Sequence, residues 1–490
     1  MKYIGPFFRM NSISKDDITN QLFYLAKESL KSIALNSKCG ICIPPRSSKK
    51  SSHTNDINIL EDFYPLLCLY KKSSATLVHS KNSKCFDESS FRKEIIPFNN
   101  ALMTLSLLEL SSFYDEYNKK NRVESSFKDK YLLIAKNQLD FYCTKLRNSE
   151  GFFISKINLS EPTAKNFNLI NSDKKMCFPD QAFMMNAFYL YSLYSEDNTL
   201  KDTYKNFSLE ILSMFDTYKD ELYKLSFDED IKILFAFITF YNYSKEILCK
   251  TLIIDLCDFL INKFTEKNYF EDSIDSTSLF AICLKNAFIY TDILAFEEKG
   301  NQILSKLEDL YDEKNCIFSK SSDKKEIKYS ALEISFYMIA LLLYSNEEEQ
   351  SLSNRGMLFN LYKKLFIDSG IVLSWPEAPT LDEIERYRNL SLRSEDMLAE
   401  SHFRMLDLPS PESSGIASVF NRSVTYSRKK DSFSHSKESF DSGKNMFIFY
   451  VIIYLFKDSV KKDMYLESQN TNTPINPDTN PSCPLVNSDD

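Results

Sequence analysis

Five positions combine a reactive or ring-bearing side chain with a placement that chemistry can use. Asp180 follows Pro179 and stands at the head of a helix-length stretch without charge. Glu377 closes Ser374-Trp375-Pro376-Glu377, which holds the one tryptophan of the chain. Two carboxyl groups, one protonated and one ionised, act as acid and base on a single bond when a water fits between them. Asp180 and Glu377 are the candidate catalytic pair. Trp375, Asp272 and Glu333 are the candidate binding residues: the indole offers a flat apolar face, and the carboxylates can grip polar groups. Glu333 lies inside Tyr329-Ser-Ala-Leu-Glu-Ile-Ser-Phe, where a carboxylate is either buried or faces a lumen. Buried charge is costly unless paired, so a structural hydrogen bond is the competing role there. Asp228, Asp230 and Asp275 occupy places like that of Asp180. An aspartate at the start of a helix also caps it, so capping stands beside catalysis for each of them.

The elements that must position these side chains follow from a repeat. Charged amphipathic segments end in Gly or Asn, two apolar residues follow, and a nearly uncharged segment begins. Gly151, Asn268, Asn315 and Gly370 hold the same place in four copies, with a weaker copy at Leu225 to Asp228. Gly and Asn accept the left-handed backbone that ends helices. The spacing from Asn268 to Asn315 is 47 residues and from Asn315 to Gly370 is 55. A period of about 50 residues with two helices each predicts a helical array or ring.

Six segments are nearly free of charge: Pro97 to Phe113, Asp180 to Tyr194, Asp230 to Tyr243, Ser276 to Tyr290, Tyr329 to Tyr344 and Asn445 to Phe456. Such helices are buried on every side. Five amphipathic ones alternate with them, and Ser14 to Leu35 supplies a sixth. The last uncharged segment needs partners on both flanks, and the N-terminal helix can provide one. This favours a closed (α/α)6 toroid, all-α with small β-hairpins in the rim loops, over an open solenoid, whose ends are usually polar caps.

The 490 residues are 43% hydrophobic, enough for a large core, and no Pro/Gly/Ser linker divides the repeat, so residues 1–460 read as one toroid. Asn36 to Asn58 and Ser423 to Lys444 read as flexible, and residues 461–490 as a disordered tail. Leu60 to Tyr70 reads as a short helix, and Lys71 to Ile96 as irregular. With 8 glycines and neither GxGxxG nor GxxxxGK[ST], a Gly-rich nucleotide loop is excluded. A net charge of −8 argues against nucleic acid. The longest apolar run, Met446 to Phe456, is too short to span a bilayer. No signal peptide is evident, and 11 cysteines lie mostly in apolar stretches, which fits reduced thiols in the cytoplasm. Cys39-Gly40-Ile41-Cys42 lacks the strand-to-helix setting of a redox pair and a second CxxC for zinc. No metal and no cofactor are expected.

Ala135 to Lys156 (AKNQLDFYCTKLRNSEGFFISK) and Phe178 to Ser195 (FPDQAFMMNAFYLYSLYS) resemble the six-hairpin glycosidase-like superfamily. They are most similar to the toroid of the thioredoxin-domain proteins of glycosidase-like type, with its helix-ending EGGFY turn and DYAF inner helix. The resemblance implies a ligand funnel where the outer-to-inner loops meet, with Asp180, Asp228, Asp230, Asp272, Asp275, Trp375 and Glu377 around it. It implies a protein that acts on or binds a carbohydrate or sugar derivative, with hydrolysis as the reaction; a non-catalytic toroid kept for binding or scaffolding is the alternative. Met1 to Ile96 shows no thioredoxin-like domain. Sugar 2-epimerases of this fold work through histidines, and only four occur here, in flexible or irregular stretches.

Overall fold

In the computed structural model, the place of each helix follows the distribution of charge along the chain. The structure describes residues 15–43, 63–80, 83–121, 127–160, 167–172, 176–265, 269–320, 325–344, 352–376 and 415–469. The helices in chain order are α1 (Lys15–Asn36), α2 (Pro97–Asn121), α3 (Phe127–Lys145), α4 (Phe178–Tyr194), α5 (Asn198–Thr217), the single turn α6 (Lys219–Leu222), α7 (Phe227–Ser244), α8 (Ile247–Thr265), the single turn α9 (Tyr269–Asp272), α10 (Ile274–Thr291), α11 (Leu294–Asp309), α12 (Ala331–Tyr344), α13 (Leu352–Tyr362) and α14 (Ser442–Gln469).

Six of them form an inner ring. α2 packs on α4, α4 on α7, α7 on α10, α10 on α12, α12 on α14, and α14 returns to α2. Each has an outer partner: α3, α5, α8, α11 and α13 pack on the inner helix before them, and α1 packs on α14. The chain's first and last helices thus make the sixth hairpin, and the ring is closed as the charge alternation predicts. Polar bonds pin this closure. Asn99 Nδ2 on α2 donates to Ser442 Oγ on α14 at 2.7 Å, and Tyr362 donates to Gln21 Oε1 on α1 at 2.8 Å.

Short strands fill the connections that lead from outer to inner helices. In chain order they are β1 (Gly40–Cys42), β2 (Leu66–Leu69), β3 (Lys72–Ser74), β4 (Leu77–Ser80), β5 (Ser83–Phe86), β6 (Glu94–Ile95), β7 (Lys156–Asn158), β8 (Leu169–Asn171), β9 (Tyr311–Asp312), β10 (Ile317–Phe318), β11 (Glu326–Ser330), β12 (Ser423–Ser427), β13 (Ser432–His435) and β14 (Ser439–Asp441). They pair antiparallel in two- and three-stranded sets, among them β6-β7-β8 and β11-β12-β13.

Several local expectations change. Leu66 to Leu69 is a strand, not a helix, because its backbone groups are taken up by neighbours. Leu69 N donates to Asn100 Oδ1 at 2.7 Å, and Leu66 O accepts from Gln138 Nε2 at 2.8 Å. Strands β3 to β6 occupy the stretch expected to be irregular. Ser423 to Lys444 is also not a structureless loop: Val424 and Tyr426 are buried, Thr425 and Ser427 are half-buried, and β14 pairs with β3. Of the tail read as disordered, residues up to Gln469 continue α14, and the rest lies outside the described residues. So do residues 44–58 of the first loop read as flexible. The left-handed turns fall on Gly151 (φ 92°) and Gly370 (φ 72°) as expected, but in the third copy on Cys316 (φ 55°) beside Asn315; Asn268 lies outside the described residues.

Candidate functional site

All six inner helices begin at the rim that carries the strands. Just inside it the axis is filled by aromatic rings. Phe447 of α14 stands among Phe98 of α2 (centroids 5.4 Å apart), Phe183 of α4 (6.1 Å), Phe235 of α7 (6.3 Å) and Phe336 of α12 (5.0 Å). Four of these rings are buried, and Phe98 is half-buried. The first turns of the helices therefore stand around an apolar floor, and those of α4, α7, α10, α12 and α14 bring charged side chains there.

Asp228 and Lys232 lie one turn apart on α7 and form an ion pair, and Lys232 Nζ sits 5.9 Å from the centre of the Phe98 ring. Asp228 Oδ1 also accepts from Ser276 Oγ of α10 at 3.0 Å, which carries the cluster across to the next inner helix. Asp275, in the first turn of α10, comes next. Burial pushes its carboxyl up to about 6, with help from the negative charges of Glu333 and Asp228; the Ser276 N–H and Lys232 oppose this only in part. The helix dipole at this position favours the ionised form by about 0.3–1 kcal/mol. A shift of about two pKa units corresponds to about 3 kcal/mol, so burial and like charge outweigh it.

Glu333 is committed to structure. Its Oε2 accepts from Ser330 N at 2.7 Å, its own N–H donates to Ser330 Oγ at 3.2 Å, and Lys320 pairs with Oε1. This is a capping box at the start of α12. The buried carboxylate is paired, as its surroundings demand. Lys444, in the first turn of α14, faces the same cluster. Burial lowers its pKa; Asp441, Asp275 and Glu333 act against that lowering, and Arg422 adds to it.

Asp180 is buried, and its Oδ1 accepts the backbone N–H of Phe98 at 3.1 Å. Its cap is given to the neighbouring inner helix: α2 starts after Ile96, which has no polar side chain to offer. Asp230 turns outward to the outer helix, where Lys263 donates to Oδ2 at 2.8 Å, and burial pushes its carboxyl up to about 6. Asp272 is exposed on α9. Trp375 packs half-buried against the core, with its indole N–H enclosed and without a hydrogen-bond partner among the described residues. Glu377 lies outside the described residues. The structure thus brings Asp228, Asp275 and Glu333 together, with Asp180 joined to them through Phe98 and Lys232. The lysines were missed because a lone Lys at a helix start reads as a solvated charge. The spacing Asp228 to Lys232, one turn apart at the head of an uncharged helix, was the available signal.

Cys39 and Cys42 lie at β1, with both thiols held above their usual range by burial, Cys42 at about 11. Neither is poised as a thiolate. Among the described residues no three His, Cys, Asp or Glu side chains are grouped to hold a metal ion.

No family model matches the sequence, and no curated protein matches it. Solved structures do. The chain superposes on a D-mannose isomerase with a TM-score of 0.51 at 8% identity, covering 91% of this chain and 100% of that one. It also resembles a cellobiose 2-epimerase from Bacillus thermoamylovorans (TM-score 0.46, 10% identity, 79% and 93% covered) and a GH76 α-mannanase from Bacteroides thetaiotaomicron (TM-score 0.42, 10% identity, 93% and 99% covered). At 8% identity the likeness to the D-mannose isomerase is one of fold alone.

Proposed function

We propose that this chain binds and acts on a carbohydrate at the strand-bearing rim, with Asp275 as general acid and Asp228 as the facing carboxylate. The carrying observation is the unequal state of these two groups on adjacent inner helices. Asp275 keeps its proton to about pH 6, whereas Asp228 is exposed and paired with Lys232. Two carboxyl groups in different environments are what acid–base cleavage of a glycosidic bond requires. The aromatic floor gives a sugar ring an apolar face to rest on. The D-mannose isomerase with this fold has a sugar as its named substrate, which supports the substrate class. Hydrolysis suits the residues better than isomerisation, since the rim cluster is built of carboxylates and lysines. Asp180 then holds the head of α2 in place, and Glu377, Trp375 and Asp272 remain candidates for the outer wall.

A non-catalytic toroid is the second reading, favoured by the rings that fill the axis directly beneath the cluster and by the commitment of Glu333 to its own helix. A panel of aryl glycosides and oligosaccharides, assayed with the wild type and Asp275→Asn, separates the two. Turnover that is lost in the variant while ligand still binds supports the enzyme. Ligand binding with no turnover in either protein supports the binding module.

A further inference from the structure

The cations of the rim cluster differ in how closely carboxylates meet them. Lys232 pairs with Asp228, and Lys320 pairs with Glu333. Lys444 and Arg422 have no carboxylate at ion-pair distance among the described residues. They are neighbours: Lys444 Nζ lies 3.5 Å from the Arg422 carbonyl oxygen, and the Arg422 charge acts on the Lys444 ammonium. Both are fixed by the start of an inner helix. Arg422 O accepts from Ala331 N, the first residue of α12, at 3.3 Å, and Lys444 N donates to Asp441 Oδ1 at 3.2 Å in the first turn of α14. Lys444 is half-buried, so its ammonium has lost part of its hydration, and the carboxylates that act on it, Asp441, Asp275 and Glu333, stand beyond ion-pair distance.

We propose that Lys444 and Arg422 form a subsite for an anionic substituent, so that the sugar taken by the rim carries a carboxylate or a phosphate. This rests on the carbohydrate reading and narrows it. A carboxylate or phosphate accepts charge-assisted hydrogen bonds from both side chains, and the exposed Arg422 supplies the fork that such groups fit. Asp275 faces the same ammonium. An incoming anion favours its protonated form, which then donates to the ligand and does not repel it.

The test is calorimetric titration of the full chain at pH 7 with D-glucose, D-glucuronate, D-glucose 6-phosphate and inorganic phosphate, repeated with Lys444→Met and Arg422→Gln. The expected result is that glucuronate or the sugar phosphate binds at least about tenfold more tightly than glucose. Lys444→Met should bring it down to the glucose level while its melting curve stays that of the wild type. The glucuronate and phosphate arms identify which anion is meant. If glucose binds as well as both anionic sugars, or if the preference survives Lys444→Met, the subsite is wrong while the carbohydrate reading stands. If inorganic phosphate binds and no sugar does, the sugar is not the ligand and both fall, as they do if nothing binds.

Discussion

Asp180 Oδ1 lies 3.1 Å from the backbone nitrogen of Phe98, so a carboxylate on the second inner helix caps the first. The first N–H groups of a helix have no partner inside it. α2 begins with Pro97 after Ile96, and neither can satisfy Phe98. Asp180 supplies the acceptor from α4, and in doing so fixes two inner helices in register at the rim.

Removing that acceptor should cost stability, not chemistry. Asp180→Ala is expected to lower the free energy of unfolding by about 1–2 kcal/mol, and Asp180→Asn, which keeps an acceptor oxygen, by much less. Urea denaturation of the two variants measures this. Equal losses would mean that the Phe98 bond contributes nothing to stability.

Asp275 behaves in the opposite way. In the unfolded chain its carboxyl titrates near the ordinary aspartate value of 3.8, and in the fold burial pushes it up to about 6. Between these values the folded protein binds more protons, so its stability falls as pH rises through this window and the penalty is complete above it. Asp230, also near 6, adds the same sign. Asp275→Asn should match the wild type near pH 4 and exceed it at pH 8 by as much as about 2–3 kcal/mol. Thermal melts across pH 4 to 8 read the difference. A variant less stable at pH 8 would make Asp275 a helix cap.

The ring's far end carries its own lock. Glu109 of α2 is fully buried and accepts from Tyr243 of α7 at 2.6 and 2.8 Å and from Lys457 of α14, whose Nζ also donates to the Tyr243 oxygen at 2.8 Å. Burial works against the Lys457 charge, but the Glu109 carboxylate beside it holds the pKa up. First, third and last inner helices meet here. Lys457→Met leaves an unpaired buried carboxylate and should destabilise the fold by about 3–5 kcal/mol, whereas Glu109→Leu with Lys457→Met should recover most of the loss. Chemical denaturation of both variants decides. A double variant no more stable than Lys457→Met would show that the helices need the pair itself and not merely charge balance.

The ring was legible because it depends on charge distribution over helix-length windows, and that pattern survives any detail of packing. Phe183, Phe235, Phe336 and Phe447 had to sit in uncharged helices, and they meet on the axis. The strands were illegible because Leu66 to Leu69 owes its form to Asn100 and Gln138, which are remote in sequence. The rim cluster was half legible. Asp228 and Asp275 stood out as helix-starting aspartates, but nothing local separates a cap from a perturbed acid. What separates Asp275 is its burial, aided by the charges of Glu333 and Asp228 that arrive from helices on either side of it. Glu109 and Lys457, 348 residues apart, carry no signal of their pairing.

The final expectation concerns catalysis at the rim. If Asp275 donates the proton, turnover of a glycoside substrate should be greatest below its pKa and fall about tenfold per pH unit above about 6, because only the protonated carboxyl can act. Asp275→Asn should reduce kcat by about 10²–10⁴ and leave ligand affinity nearly unchanged, since the amide keeps the shape but cannot release a proton. Asp228→Asn should also reduce kcat, because the facing carboxylate is lost. Lys232→Met would remove the charge paired with Asp228 and should lower kcat as well. Steady-state rates of the four proteins from pH 4 to 9 distinguish these shapes. A wild-type profile that stays flat through pH 6, with Asp275→Asn as active as the wild type, would assign the proton to some other group.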